Sequence, residues 1–173
     1  MKTLVYLFIL SFFLVFVACN SPQNNSEESK ETSSINERSK EKEAVFLVLD
    51  KYRLANETEN LNLAKEIWAN SDEIVVIGTS GDEKLIGWNA IERTLKGQFD
   101  KLDNILISVR DQYVKVNDSR TAAWFSEILN YNYIQDGEAQ GFEGLRFTGV
   151  MEKINGEWKI VQSHISIPGS TDK

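Results

Sequence analysis

His164 is the only histidine of the chain. Histidine alone has an unperturbed pKa near neutrality, so His164 is the strong candidate for general acid or base work. Arg146 carries a planar fork that holds a carboxylate by two parallel hydrogen bonds, and Glu127 supplies a carboxylate. Whether the three meet depends on strand register. Asp136-Gly137 and Asn155-Gly156 separate long stretches of period two, and Asp-Gly and Asn-Gly are the strongest short-range hairpin signals. A two-residue Asp136-Gly137 turn sets Gln135 opposite Glu138, and counting back sets Glu127 opposite Arg146. In the next hairpin a two-residue Asn155-Gly156 turn sets His164 opposite Phe147. A three-residue Ile154-Asn155-Gly156 loop with a glycine bulge sets it opposite Arg146.

The three-residue loop is preferred because it sorts the faces. Arg146, Thr148, Val150, Gln162, His164 and Ser166 then share one face, and Leu145, Phe147, Met151, Val161 and Ile165 share the other. The predicted site is a ladder of Glu127, Arg146 and His164 across three strands, flanked by Thr148, Ser166 and Gln162. A carboxylate beside an arginine stays ionised, which makes Glu127 an orienter rather than a base. Three readings follow. Arg146, Thr148, Ser166 and Gln162 bind a small, partly apolar, acidic ligand; or His164, with Glu127 beside it, transfers a proton in an isomerisation, dehydration or hydrolysis while Arg146 stabilises an oxyanion; or the ladder only ties strands together.

Other chemistry finds little support. One histidine and one cysteine leave only carboxylates for a metal, and no Asp-x-Asp cluster has calcium-loop spacing. No Gly-x-Gly-x-x-Gly or Walker pattern points to a nucleotide, so no cofactor is expected. The formal charge of −7 argues against nucleic acid or anionic headgroups as partners.

The elements that would hold the ladder read as follows. Ala44 to Leu54 places Val45, Leu49 and Tyr52 on one helical stripe, which assigns Tyr52 to the helix core. Short helices are predicted over Leu61 to Trp68 and Asn89 to Phe99, with a brief strand at Ile74 to Ile77. Long strands follow at Ile105–Val116, Thr121–Gln135, Phe142–Ile154 and Glu157–Ile167, with Tyr131 and Tyr133 filling the sheet. Helices first and a meander afterwards define an α+β domain, with three helices packed on a curved antiparallel sheet. The domain spans 43–170.

Upstream, an apolar run from Leu4 to Val17 follows the single cation Lys2. It is shorter than the roughly 18 to 20 residues a membrane span needs, and it ends at Phe16-Val17-Ala18-Cys19. That arrangement resembles a bacterial lipoprotein signal. The resemblance implies cleavage before Cys19, acylation of that cysteine, and export to a membrane, the outer membrane by analogy with sorting signals. Removing Lys2 with the signal takes the charge from −7 to −8. Residues 20–42 are polar apart from Ile35 and read as a disordered tether, holding the domain about 25 Å from the bilayer.

Leu85-Ile86-Gly87-Trp88, Ala122-Ala123-Trp124-Phe125, Gly144-Leu145-Arg146-Phe147-Thr148 and the run Gly156 to Ser166 together resemble a SnoaL-like domain, a branch of the nuclear transport factor two superfamily. The last third is also similar to the association domain of calmodulin-dependent protein kinase. The resemblance implies a cone-shaped α-β barrel with a pocket between helices and sheet. It also implies a homodimer formed through the sheet, and a choice among isomerase, dehydratase, ligand-binding and oligomerisation roles. Trp124, Ser126, Ile128, Phe147, Met151 and Val161 are the expected dimer face.

Overall fold

A computed structural model describes residues 25–169. The chain runs α1 (Asn25–Glu57), α2 (Leu61–Ile67), β1 (Val75–Ile77), β2 (Lys84–Ile86), α3 (Trp88–Phe99), then β3 (Asp103–Val116), β4 (Ala122–Gln135), β5 (Glu138–Ile154) and β6 (Glu157–Ser166). The strands form one open sheet in the order β2-β1-β6-β5-β4-β3. The predicted α+β architecture holds, with two amendments. The sheet is not closed into a barrel, and it is mixed, because β1 lies parallel to β6 with Ile77 beside His164. The extra strand β2 pairs with β1 at the edge.

The helices cover one sheet face. Val45, Val48 and Leu49 of α1, Ile67 and Trp68 at α2 and Ile91 of α3 are buried with Phe125, Leu129, Leu145, Phe147, Met151 and Ile160 of the sheet. Tyr52 of α1 stacks on Phe147 at 4.6 Å between ring centroids. Burial of this kind contributes about 25 cal/mol per Å² of apolar surface, and it fixes α1 along the sheet.

The predicted tether is largely helical. Cys19 and residues 20–24 lie outside the described residues, but residues 25–42 belong to α1. Glu, Lys and Arg favour helix, and extension from a packed helix avoids the cost of nucleation. Tertiary contacts then fasten it. Glu41 accepts from Lys153 Nζ at 2.5 Å and from Trp158 Nε1 at 2.8 Å. Arg38 pairs with Asp118 at 2.7 Å and Arg120 with Glu37 at 2.6 Å.

Both hairpin turns contain two residues, with positive φ at Asp136 and Gly137 and at Asn155 and Gly156. This suits the twist of the flanking strands and corrects the three-residue loop expected at Asn155. Two bulges then reset the register. In β5 the pairing shifts between Leu129/Leu145 and Tyr131/Phe142, where Gly144 takes a φ of 69° and donates its N–H to Asn130 Oδ1 at 2.9 Å. In β6 a second shift falls between Met151/Ile160 and Val150/Gln162.

Candidate functional site

The bulges take the predicted ladder apart. Glu127 stands opposite Phe147, not Arg146, whose partner on β4 is Ile128. His164 stands opposite Thr148, and Arg146 opposite Ser166. One extra residue inverts every side chain beyond it, so Glu127 faces the helices while Arg146 faces away. The sorted faces of β5 and β6 survive with their meaning reversed. Arg146, Thr148, Gln162, His164 and Ser166 lie on the outer face, and Leu145, Phe147, Met151 and Ile165 lie under the helices. Arg146 is exposed and donates to the Ile167 carbonyl at 3.1 Å.

Glu127 is 3% exposed. A bulge in β3 between Arg110 and Tyr113 brings Gln112 Nε2 to Glu127 Oε2 at 2.6 Å. Burial pushes the carboxyl up to about 7, against the lowering effect of that hydrogen bond, and Asp50 on α1 adds to the rise.

The cavity lies elsewhere on the same inner face, between the C-terminal end of α1, α3 and the concave sheet. Its volume is about 350 Å³. Phe147, Leu145, Ile165, Ile91 and Leu95 give an apolar wall, and Tyr52, Tyr131, Tyr133, Asn56, Gln98 and Ser163 give polar groups. Gln98 Nε2 donates to the Tyr131 hydroxyl at 2.6 Å, which leaves the Tyr131 proton free to donate. Gln98 also reaches Asn56 Oδ1 at 3.4 Å, and Asn56 donates to the Tyr52 carbonyl at 2.8 Å. Burial pushes the Tyr52 and Tyr131 hydroxyls well above the usual phenol range. Both therefore stay protonated. The Trp68 indole N–H, in the cavity wall, has no acceptor.

Among the described residues lining the cavity there is no Lys, Arg or His, and Glu83 is the sole carboxylate. Tyr52, expected in the helix core, and Tyr131 and Tyr133, expected to fill the sheet, line the cavity. The available signal was position. Tyr52 and Asn56 are four apart near the end of α1, on the helix face turned to the sheet, and Tyr131 and Tyr133 alternate on one face of β4.

This open cone, with its cavity walled by helices and sheet, is the architecture of the nuclear transport factor 2-like superfamily. The chain belongs to the SnoaL-like domain family, whose model matches residues 45–170. Similar solved structures include a nuclear transport factor 2 (NTF2-like) superfamily protein from Salmonella enterica, 20% identical with a TM-score of 0.70, over 77% of this chain and 94% of that one. A protein from Streptomyces avermitilis described as an NTF2-like dehydratase is 16% identical, TM-score 0.68, over 77% and 99%. One from Novosphingobium aromaticivorans described as a scytalone dehydratase is 13% identical, TM-score 0.67, over 82% and 91%. No curated protein sequence matches the chain. The family has ligand-binding and enzymatic members.

Proposed function

We propose that the chain is an exported, lipid-anchored protein whose SnoaL-like domain binds a small, neutral, largely apolar molecule bearing hydrogen-bond acceptors. The observation that carries this reading is the lining of the cavity, where an aliphatic and aromatic wall holds protonated phenols and no cation. Apolar pockets with a few oriented donors suit such ligands. An acidic ligand is disfavoured, because its charge would be buried without a partner. Arg146, first assigned to hold that charge, is across the sheet.

Binding is favoured over catalysis by the position of the titratable groups. His164 is on the outer face, and Glu127, whose carboxyl burial pushes up to about 7, is not part of the cavity lining. Export and acylation at Cys19 rest on the sequence pattern alone. Dimerisation through the outer face is a further part of the proposal, without Phe147 and Met151 of the expected dimer face, which are buried under the helices. That face presents Trp124 and Tyr113, 43% and 54% exposed, and aromatic groups of this size are favoured at interfaces.

The test uses the neutral fluorophore N-phenyl-1-naphthylamine as a probe. The folded chain should bind it at one site, with enhanced emission, and Leu95→Trp, which fills the cavity, should abolish the signal. Equal binding by the Trp variant would show that the probe lies elsewhere and overturn the assignment.

A further inference from the structure

We infer that α1 is a rigid stalk that holds the cavity mouth away from the membrane, so that ligand enters from the aqueous side and not from the bilayer. This rests on the reading of Cys19 as a lipid anchor and adds an orientation to it. Three observations support it: the continuity of α1, the ends of the domain it joins, and the charge at the mouth.

A flexible tether would let the domain tumble, whereas α1 is continuous from Asn25 to Glu57. Between Asn25 and Glu41 the helix advances about 24 Å, and from Glu41 to Asn56 a further 22 Å or so. Residues 19–24 reach at most about 20 Å even when fully extended. An anchor at Cys19 is thus bounded to within about 20 Å of the helix start.

Where α1 meets the domain is equally defined. Its contacts with Lys153, Trp158, Asp118 and Arg120 lie at the end formed by the β3–β4 and β5–β6 turns. Its other end reaches the cavity through Tyr52 and Asn56. Of the residues lining the cavity Thr79 is exposed, and Glu83, Gln135, Tyr133 and Phe142 are among those that are half-buried. Gln135 closes the β4–β5 hairpin, and Thr79 follows β1 at its end nearest the C-terminus of β6. The mouth thus occupies the end of the domain opposite the stalk.

Electrostatics supports the same orientation. Glu83 lines the mouth and Asp82 precedes it, while Asp103 and Asp136 follow the lining residues Leu102 and Gln135. Glu138 pairs with Gln135, and Glu59 lies close enough to raise the Tyr131 pKa. Against these six carboxylates stand Lys84 and Lys101 and, beside the lining residues Thr94 and Leu95, Arg93 and Lys96. A bilayer containing anionic lipid repels such a surface within about a Debye length.

The experiment uses the mature, acylated full chain in phosphatidylethanolamine/phosphatidylglycerol vesicles carrying a rhodamine headgroup acceptor. Cys19 is the only native cysteine, so Thr79→Cys and Ser119→Cys each provide one free thiol for a fluorescein donor. Energy transfer should be strong from position 119 and several-fold weaker from position 79. Equal transfer, or stronger transfer from 79, overturns the orientation while leaving the anchor intact. Ile35→Pro with Asn36→Gly interrupts the helix and should bring the two positions together; a difference that survives this break rules out the stalk as its cause. Flotation of the chain with vesicles, lost in Cys19→Ser, reads the anchor separately. Absence of flotation in the unaltered chain overturns anchor and orientation together.

Discussion

Glu127 pairs with Phe147 on the neighbouring strand, on the same face of the sheet, and Phe147 is the ring on which Tyr52 stacks at 4.6 Å. A carboxyl is thereby placed among apolar and aromatic groups, with Gln112 as its hydrogen-bond partner. Its pKa is raised from 4.5 to about 7. In the unfolded chain the group ionises near 4.5, and in the folded chain it holds its proton to about 7. The unfolded state thus binds fewer protons in that window, and the contribution of Glu127 to stability falls as pH rises through it, by on the order of 3 kcal/mol. Glu127→Gln removes this dependence. Thermal melts at pH 5.5 and 8 should show the variant gaining on the parent at the higher pH; parallel behaviour would place the Glu127 pKa near its ordinary value.

Gly144 sets the register on which the site depends. At a φ of 69° a side chain costs about 1–2 kcal/mol, so Gly144→Ala should lower the free energy of unfolding by that amount, read as a lower urea midpoint with an unchanged slope. Asn130→Ala removes the acceptor of the Gly144 N–H and should cost about 1 kcal/mol.

Glu41 fastens the stalk. Its hydrogen bond from Lys153, with a further one from Trp158, holds the carboxyl below the usual range. Its contribution is therefore present at neutral pH and fades as pH falls through the lowered value. Glu41→Ala should cost about 1–2 kcal/mol and speed amide exchange in α1 around residues 37–43, with exchange near Tyr52 unchanged.

Arg146→Met should be nearly silent. The guanidinium is exposed, and substitutions at such positions usually change stability by less than about 0.5 kcal/mol. Binding of the naphthylamine probe should also be unchanged. Loss of probe binding would mean that the outer face communicates with the cavity.

Trp124→Asp tests the proposed dimer. Light scattering should give a dimer mass for the soluble domain and a monomer mass for the variant; a monomeric parent at tens of micromolar would remove the proposal.

Local chemistry determined much of this protein from the sequence alone. The stripe of Val45 and Leu49, the period-two strands and the Asp-Gly and Asn-Gly turns are encoded within a few residues, and they yielded the helices, the four long strands and the family. The anchor pattern at Cys19 is equally local, and its test lies with the chain in a membrane. The site was not legible in this way. Glu127 and Arg146 face opposite sides because one residue is added at Gly144, and a bulge leaves the hydrophobic alternation on either side intact. Tyr52, Asn56, Gln98 and Tyr131 come from two helices and a strand, so only packing brings them around one cavity. The polar run of 25–42 has the composition of a tether. It is helical because α1 continues into it and because Glu37, Arg38 and Glu41 find partners about 80 to 120 residues away. Such contacts are a property of the tertiary structure and leave no periodic trace in the chain.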